Sequence, residues 1–290
     1  MTGATIADGT VLVVGAGYVG QRFLARQPEG SSIGLSRSAI PSSRQIEIFN
    51  LDIGGELPLT LPRRYSVLYT VPPARASMSD VRLERLLAVL QPVPQRFVYI
   101  STTGVYGNRG GASVDETSPL NPETDRARKR IAAENLLHSW GSQTGCEVVI
   151  LRVPGIYGPG RLGVERLHEG APVIAEHDAS PGNRIHVDDL VTCCAAALTS
   201  TTPPGVYNVG DGDHRTSTWF TNEVARQSGL PLPQTITMQQ AEREFSPMRL
   251  SFLAESRRVE TTRMRDVLGV SPRYANAEDG IRASLADSEP

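Results

Sequence analysis

The sequence predicts an α/β protein built on a doubly wound parallel sheet, with a small C-terminal lobe. Short apolar segments typical of strands alternate with segments whose apolar residues recur at helical spacing. A glycine-rich turn at residues 15–20 joins the first strand directly to the first helix. With 290 residues, the chain is long enough for one sizeable core and a smaller appended lobe.

The glycine-rich turn is the strongest indication of a ligand site. Residues 11–14 form a short apolar strand, and residues 21–26 form a helix. Between them, Gly15, Gly17 and Gly20 have the Gly-x-Gly-x-x-Gly spacing of dinucleotide-binding Rossmann folds. The first glycine permits a tight turn, the second lets the backbone approach a pyrophosphate, and the third lets helix and strand pack closely. The N–H groups at the helix start then face the phosphates.

The end of the second strand indicates which dinucleotide fits. Residues 32–36 form this strand, Arg37 and Ser38 follow Ser36, and no Asp or Glu occurs from 31 to 46. In dinucleotide-binding folds, a carboxylate here accepts hydrogen bonds from the ribose of NAD, whereas an arginine accommodates the 2′-phosphate of NADP. The sequence therefore favours NADP over NAD.

The remaining elements continue the alternation of strand and helix. Further strands are predicted at 45–49, 67–71, 97–101, 147–153 and 206–209. Helices are predicted at 79–90 with Ser79 as N-cap, at 125–140, at 187–198, near 217 and at 255–268. Asp52, just after the third strand, either caps a turn or accepts a hydrogen bond from an adenine amino group.

The chain divides into a core and a lobe. Residues 1–154 are predicted to form a dinucleotide-binding core, which about 186–210 complete. The segments 155–185 and 211–290 are richer in proline, arginine and loop signals. They are predicted to form a small substrate-binding lobe over the carboxyl ends of the strands.

Composition limits the classes of partner. The 29 basic and 31 acidic residues nearly balance, so neither a nucleic-acid nor a membrane-surface footprint is present. No apolar run reaches the roughly 20 residues that span a bilayer, and no signal-peptide pattern is present, so a cytoplasmic location is expected. Cys146, Cys193 and Cys194 have the spacing of neither a disulfide framework nor a zinc site. We expect a small-molecule partner and no metal, and a homodimer remains open.

Six segments together resemble the extended short-chain dehydrogenase/reductase superfamily, specifically its NAD-dependent epimerase and dehydratase branch. The resemblance covers nearly the whole chain and depends on the order and spacing of the segments. They are residues 15–20, 97–107, 151–160, 184–190, 207–211 and 263–269. The resemblance implies a nicotinamide cofactor and oxidoreductase or epimerase activity on a sugar-like or anionic small molecule.

Cofactor-binding residues are expected in the glycine turn, at the strand ends and on one helix. The expected set is Gly15, Gly17, Tyr18, Val19, Gly20, Ser36, Arg37, Asp52, Ile53, Thr70, Val71, Pro72, Ser101, Arg130 and Pro154.

The family's catalytic positions are only partly matched. Members carry Ser or Thr after the fifth strand, here Thr102, then Tyr-x-x-x-Lys on the next helix and Glu four residues later. Alignment on Glu134 places Arg126 and Arg130 at the tyrosine and lysine positions, and no tyrosine precedes Lys129 by four. An arginine, with a pKa above about 12, does not exchange protons usefully at neutral pH. Thr102, Arg126 and Arg130 remain the candidate catalytic residues, with Arg130 donating to the nicotinamide ribose.

The resemblance also implies substrate-binding residues and leaves two functions open. Thr103, Tyr106 and Arg184 are expected to bind the substrate, Arg184 at a position where relatives hold a phosphate or sugar. Thr102 and Arg184 favour an NADP-dependent enzyme of the epimerase/dehydratase kind with altered proton chemistry. The Arg-x-x-x-Arg sequence favours a non-catalytic sensor of NADP(H).

Overall fold

A computed structural model of the chain describes residues 4–5, 7–74 and 79–287. The strands are β1 (Ala4–Thr5), β2 (Thr10–Val14), β3 (Ser32–Ser36), β4 (Ile46–Ile48), β5 (Leu59–Thr60), β6 (Tyr65–Tyr69), β7 (Arg96–Thr102), β8 (Ser113–Val114), β9 (Glu147–Val153), β10 (Gly155–Tyr157), β11 (Val173–Ile174), β12 (Arg184–His186), β13 (Gly205–Asn208), β14 (Thr235–Ile236) and β15 (Arg258–Val259). The helices are α1 (Tyr18–Arg26), α2 (Val81–Val89), α3 (Asp125–Thr144), α4 (Val164–His168), α5 (Val187–Leu198), α6 (Ser217–Gln227), α7 (Met238–Glu244), α8 (Pro247–Ala254), α9 (Thr262–Asp266) and α10 (Ala277–Ala286). Short 3₁₀ helices occupy Thr103–Tyr106 and Glu176–Asp178.

The predicted doubly wound parallel sheet is confirmed. Seven strands pair in the order β13-β9-β7-β6-β2-β3-β4, and every pairing between neighbours is parallel. The chain winds outward from β2 through β3 to β4 on one side, and through β6, β7 and β9 to β13 on the other. The winding therefore reverses between β2 and β6, and in such sheets ligands bind at the carboxyl ends of the strands at this point.

Two apolar layers cover the two faces of the sheet. Helices α1 and α5 pack on one face against side chains such as Val13, Leu68 and Val98. Helices α2 and α3 pack on the other face, against neighbours such as Leu12 and Val67. Successive residues of one strand thus enter opposite layers, and because both faces are buried the strands read as continuous apolar runs.

The strands at 32–36 and 147–153 and the helix at 187–198 were predicted with the bounds that the structure gives. Two predictions near helices were wrong. Asp80, not Ser79, caps α2, because its carboxylate accepts a hydrogen bond from the Leu83 amide.

The predicted helix at 255–268 is the larger error. Residues 258–259 instead pair with β8 as the strand β15, and only 262–266 are helical, in α9. The guanidinium of Arg257 also donates to the carbonyl of Gly107, 2.9 Å away. These long-range contacts outweigh a helix propensity that is only a weak preference.

The segments predicted to form the lobe share contacts of their own. Strand β10 pairs with β12, and β11 pairs with β14. Tyr157, Leu162, Val224 and Ile281 form a small apolar cluster separate from the two layers. None of the helices in the described ranges combines the length and apolar character needed to cross a membrane.

Candidate functional site

An open cavity of about 520 Å³ lies at the carboxyl ends of the central strands. It is lined by residues 14–19, 35–38, 49–52 and 70–72, together with Ile40, Arg82, Ile100, Arg130, Ile156 and Arg161. The glycine turn follows β2 and residues 70–72 follow β6, so the cavity opens where the winding of the sheet reverses. This is the place where the topology alone predicts a ligand.

The three glycines of the turn meet different surroundings. Gly15 has a φ of +100°, and a Cβ there would lie 2.6 Å from Thr70 Oγ1. A Cβ on Gly20 would collide with the carbonyl oxygen of Gly15, as expected where helix and strand pack closely. A Cβ on Gly17 would meet no atom within 4 Å. Gly17 is also the N-cap of α1 and provides no side-chain cap, so the first amides of the helix face open space.

Two arginines and one carboxylate set the charge beside β3. Both carboxylate oxygens of Asp52 accept hydrogen bonds from Arg82, at 2.5 and 2.8 Å, and the guanidinium of Arg37 lies 3.9 Å from the same carboxylate. Hydrogen bonding to Arg82 holds the pKa of Asp52 below its ordinary value. Asp52 is therefore ionised, and the group carries a net charge of about +1. The Arg37 side chain is 72% exposed, so it can take an additional anion.

Arg130 occupies the other end of the cavity. Its Nη1 donates to the hydroxyl of Tyr99 at 2.8 Å and to the carbonyl of Ile100 at 2.9 Å. Burial raises the pKa of Tyr99 to about 12, so this phenol stays protonated at neutral pH. Nε and Nη2 of Arg130 make no hydrogen bond to any described residue, which leaves them available as donors to a ligand.

The other candidate catalytic residues lie outside the cavity lining. Arg126 is exposed on the first turns of α3. Thr102 is half-buried, and its hydroxyl accepts a hydrogen bond from the Gly104 amide at 3.2 Å. Among the described lining residues, one carboxylate and one phenol could in principle exchange a proton. The carboxylate is that of Asp52, which Arg82 holds, and the phenol is that of Tyr18, whose hydroxyl donates to the Pro159 carbonyl at 3.0 Å.

Most of the expected cofactor-binding residues line the cavity, and four do not. The four are Gly20, Ile53, Ser101 and Pro154. Gly20 lies behind the turn, where it packs α1 on β2, and the side chain of Ile53 is exposed to solvent. The hydroxyl of Ser101 donates to the carboxylate of Glu134.

Tyr106 belongs to a buried polar network rather than to the cavity. Its hydroxyl donates to Asn208 Oδ1 at 2.7 Å and accepts from Arg152 Nη1 at 2.9 Å. Arg152 in turn forms a buried ion pair with Glu134 at 2.7 Å. Thr103, at the start of the neighbouring 3₁₀ helix, is also buried. The structure therefore brings neither Thr103 nor Tyr106 to the cavity, and the network joins α3 to β9 and β13.

Arg184 is buried among the segments of the predicted lobe and is not one of the cavity-lining residues. Its Nη2 donates to the carbonyls of Arg215 and Thr216, and its guanidinium lies 5.0 Å from the ring centre of Phe220. Desolvation raises the pKa of the nearby Asp211 to about 7. The Nη1 of Arg184 is buried without a hydrogen-bond partner among the described residues and lies 3.7 Å from Asp213 Oδ1, whereas Nη2 is held by the two backbone carbonyls.

Three residues at or near the site were not found from the sequence. Arg82 and Arg161 both line the cavity, Arg82 from the start of α2 and Arg161 one residue beyond the family-like segment 151–160. The third is Glu255, whose Oε2 accepts a hydrogen bond from Arg257 at 2.8 Å. Its other oxygen, Oε1, is buried without a partner among the described residues.

Glu255 approaches the family's catalytic Ser/Thr position. A Cβ built on Gly104 would lie 3.6 Å from Glu255 Oε2 and 3.4 Å from Thr102 Oγ1. The carboxylate and the hydroxyl therefore both border the space beside Gly104, although about 150 residues separate them in the chain. No local pattern in the sequence indicates this approach, because it depends on the pairing of β15 with β8.

Comparison with known proteins agrees with this fold. Residues 75–210 match the model of the NAD dependent epimerase/dehydratase family. A functionally unknown conserved protein from Silicibacter pomeroyi DSS superposes with a TM-score of 0.79 at 30% identity, covering 97% of this chain and 100% of that one. UDP-glucuronic acid 4-epimerase from Bacillus cereus, in complex with NAD, shares the fold, with a TM-score of 0.71 at 18% identity over 96% of this chain and 98% of that one.

Curated relatives match over a shorter span. Protein YeeZ of Escherichia coli (strain K12) is 32% identical over 139 residues, which are 48% of this chain and 48% of that protein. The chain spans about half the length of the curated relatives that it matches most strongly.

The fold and the cavity define a Rossmann-type protein with a doubly wound parallel sheet. Within that type, the chain belongs to the NAD dependent epimerase/dehydratase family.

Proposed function

We propose that this chain binds NADP(H) in the cavity and acts as an oxidoreductase or epimerase on a small sugar-like molecule. The observation that carries this proposal is that the glycine turn, the positive group beside β3 and Arg130 line one cavity. The open space at Gly17 fits the approach of a pyrophosphate to the backbone, since no side chain fills it.

Each part of the cavity suits one part of such a cofactor. The amides of Tyr18 and Val19 at the start of α1 suit the pyrophosphate, and Ser36, Arg37 and Ser38 suit the 2′-phosphate. The two unused donors of Arg130 suit the hydroxyls of the nicotinamide ribose. When bound, the nicotinamide supplies hydride exchange, while the residues of the chain bind and orient the two partners.

NADP is favoured because of the charge beside β3. Asp52 is the carboxylate that lines this region, and Arg82 already engages both of its oxygens. A 2′-phosphate would face the exposed guanidinium of Arg37 and gain a charge-assisted hydrogen bond. The Bacillus cereus epimerase carries NAD, so the family fold alone does not decide between the cofactors.

Proton exchange in this enzyme would use a group other than the family's tyrosine. Arg126 and Arg130 do not release protons at neutral pH. Glu255 presents a carboxylate beside Thr102, with Oε1 unpaired among the described residues. A substrate hydroxyl held by Thr102 could pass its proton to this carboxylate, which makes Glu255 our candidate base.

A second function, sensing of the NADP/NADPH ratio without turnover, is favoured by one observation. The carboxylate and the phenol that line the described cavity, those of Asp52 and Tyr18, already form hydrogen bonds within the protein. A sensor needs differential affinity for the oxidised and reduced cofactors and a change transmitted to a partner, but no proton donor.

Calorimetric titration of the purified protein with NADP⁺, NADPH, NAD⁺ and NADH tests the binding proposal. We expect NADP⁺ to bind more tightly than NAD⁺, and Arg37→Gln to weaken NADP⁺ about tenfold or more while hardly changing NAD⁺. Arg44→Gln is the matched control, because Arg44 is a nearby arginine outside the cavity lining. Equal affinities of the parent for NADP⁺ and NAD⁺ would overturn the NADP assignment.

Turnover distinguishes the two functions. The enzyme proposal predicts that NADP⁺ is reduced as a sugar hydroxyl is oxidised, or that a nucleotide sugar is isomerised, when the parent is incubated with NADP⁺ and UDP-sugars. Glu255→Gln should then lower kcat with little change in cofactor affinity. Absence of turnover together with unequal affinities for NADP⁺ and NADPH would favour the sensor.

A further inference from the structure

Arg161 is an exposed arginine that lines the proposed cofactor cavity and lies far from the glycine turn along the chain. It lies in the loop 158–163 that joins β10 to α4, and its amide closes a turn by donating to the Gly158 carbonyl at 2.9 Å. Its guanidinium carbon lies 3.9 Å from the ring centre of Tyr18. Because Tyr18 is the first residue of α1, this stacking places Arg161 at the head of that helix.

The loop 158–163 is fixed against the glycine turn by further contacts. The Tyr18 hydroxyl donates to the carbonyl of Pro159, across 141 residues of chain. A Cβ on Gly158 would lie 2.6 Å from that hydroxyl and 2.7 Å from Val187 Cγ1. Only glycine permits this approach, so the backbone of the loop is held directly beside Tyr18.

The positive charge at this position is not paired with a carboxylate among the described residues. A second guanidinium, that of Arg22, also lies 3.9 Å from the Tyr18 ring centre. Within the described residues neither Arg22 nor Arg161 forms an ion pair, and the neighbouring carboxylate of Asp188 pairs with Arg26 at 2.6 Å. Two arginines therefore flank the start of α1, where the helix dipole is also positive.

We infer that Arg161 is a ligand of the cofactor's pyrophosphate, which it holds from the side opposite the glycine turn. This inference rests on the proposed dinucleotide site and adds a residue from a different part of the chain to it. Arg161 differs from Arg22 in that only Arg161 lines the cavity. A pyrophosphate at the amides of Tyr18 and Val19 would bring a negative charge and accept charge-assisted hydrogen bonds from the guanidinium.

Binding of the phosphates to Arg161 would also connect the glycine turn to the small apolar cluster. Leu162, next to Arg161, is packed in the small apolar cluster with Tyr157, Val224 and Ile281. Engagement of Arg161 would therefore tie that cluster to the glycine turn. Cofactor binding would restrain the loop 158–163 as well as the core.

Titration of Arg161→Gln and Arg22→Gln with NADP⁺, in the absence of any substrate, tests the inference. Both variants remove one guanidinium that lies 3.9 Å from the Tyr18 ring centre, and Arg22→Gln also removes a hydrogen bond to the Tyr18 carbonyl, but only Arg161→Gln removes a cation from the cavity. We expect Arg161→Gln to weaken NADP⁺ about tenfold or more, and Arg22→Gln to weaken it less than about threefold. Adenosine 2′-monophosphate, which lacks the pyrophosphate, should bind the parent and Arg161→Gln equally.

The outcomes separate this inference from the proposed function. A parent that binds neither NADP⁺ nor NAD⁺ contradicts the dinucleotide site itself. A parent that binds NADP⁺, with Arg161→Gln no weaker than Arg22→Gln, contradicts only the role of Arg161. If Arg161→Gln weakens adenosine 2′-monophosphate as much as NADP⁺, the arginine acts on the adenosine end and the pyrophosphate assignment is wrong. Circular dichroism of both variants checks that they are folded.

Discussion

The two ends of the cavity are built differently. Beside β2 and β3, the glycine turn and Arg37 have the residue types that a dinucleotide requires, and they lie where the sequence predicts them. At the other end, α3 provides Arg130, with Arg126 four residues before it, at positions where the resemblance to the family implies lysine and tyrosine. One end has what the fold requires for binding, and at the other end the departure from the family's pair stays a prediction.

This difference separates binding from reaction. Backbone amides, an open glycine and a positive strand end depend on the fold and are sufficient to hold phosphates. Proton transfer needs one particular side chain with a suitable pKa at one position. The cavity therefore has the features that binding requires, whereas the proposed function needs a proton-transfer group other than the tyrosine that the family resemblance implies.

The largest expected effect is the loss of cofactor binding in Gly17→Val. A Cβ at Gly17 meets no protein atom within 4 Å, and the residue's φ of −91° suits any L-residue. The valine would fill the space proposed for the pyrophosphate, so we expect NADP⁺ affinity to fall by about 100-fold or more. Thermal unfolding should show a cost of about 1 kcal/mol or less, as for a poor N-cap residue.

Gly20→Val is the matched comparison for that experiment. Its Cβ would collide with the Gly15 carbonyl and lie 3.3 Å from Val13 Cγ1, so we expect it to destabilise the fold itself by about 3 kcal/mol or more. If Gly17→Val binds NADP⁺ as well as the parent does, the glycine turn does not bind the pyrophosphate. The contrast between a binding end and a reacting end of the cavity would then be wrong.

A gain of function at the α3 end is the next largest effect. The double variant Arg126→Tyr with Arg130→Lys restores the family's pair on a helix whose Glu134 is in place. Positioned acid–base catalysis contributes roughly 10²–10⁴-fold, so the variant should reduce generic carbonyl compounds with NADPH measurably faster than the parent. The rate of NADPH oxidation is the measurement, and Arg130→Lys alone is the control. A parent as fast as the double variant would show that another group, with Glu255 the first to examine, supplies the proton.

The sequence predicted the fold and the binding end because both depend on local patterns. Apolar runs bounded by glycine and proline located the strands, and the glycine spacing located the turn. The carboxyl ends of parallel strands then meet at one edge of the sheet, so residues 15–19, 36–37 and 70–72 line the same cavity.

The remaining features depend on contacts between distant parts of the chain. The sequence left the role of Asp52 open, and its partner Arg82 is 30 residues away on another element. Arg184 was expected to hold a substrate, and the sequence did not indicate that its Nη2 donates to the carbonyls of residues 215–216 and that its guanidinium lies near Phe220, so its substrate role stays a prediction. Glu255 lies in a segment that was predicted to be helical and is extended instead. No feature of the sequence therefore indicated that it borders the same space as Thr102.

Replacement of Arg130 should have a moderate effect and tests the second end directly. Arg130→Ala removes the two unused donors and also the bonds to Tyr99 and Ile100. We expect NADP⁺ affinity to fall about five- to tenfold, with a loss of stability of about 1–2 kcal/mol. Arg130→Lys should keep affinity within about threefold, because an ammonium also donates to ribose hydroxyls. Equal affinity of the alanine variant and the parent would remove Arg130 from the binding site.

Arg126→Gln should have the smallest effect on the cofactor. Arg126 is exposed on the first turns of α3 and does not line the cavity, although it is on the same helix as Arg130. Loss of an exposed charge contributes little, so we expect NADP⁺ affinity to stay within about twofold of the parent. Calorimetry on Arg126→Gln beside Arg130→Ala gives the contrast on one helix. A tenfold loss in Arg126→Gln would extend the binding site along α3, whereas a rise in the KM of an anionic substrate alone would place Arg126 on the substrate.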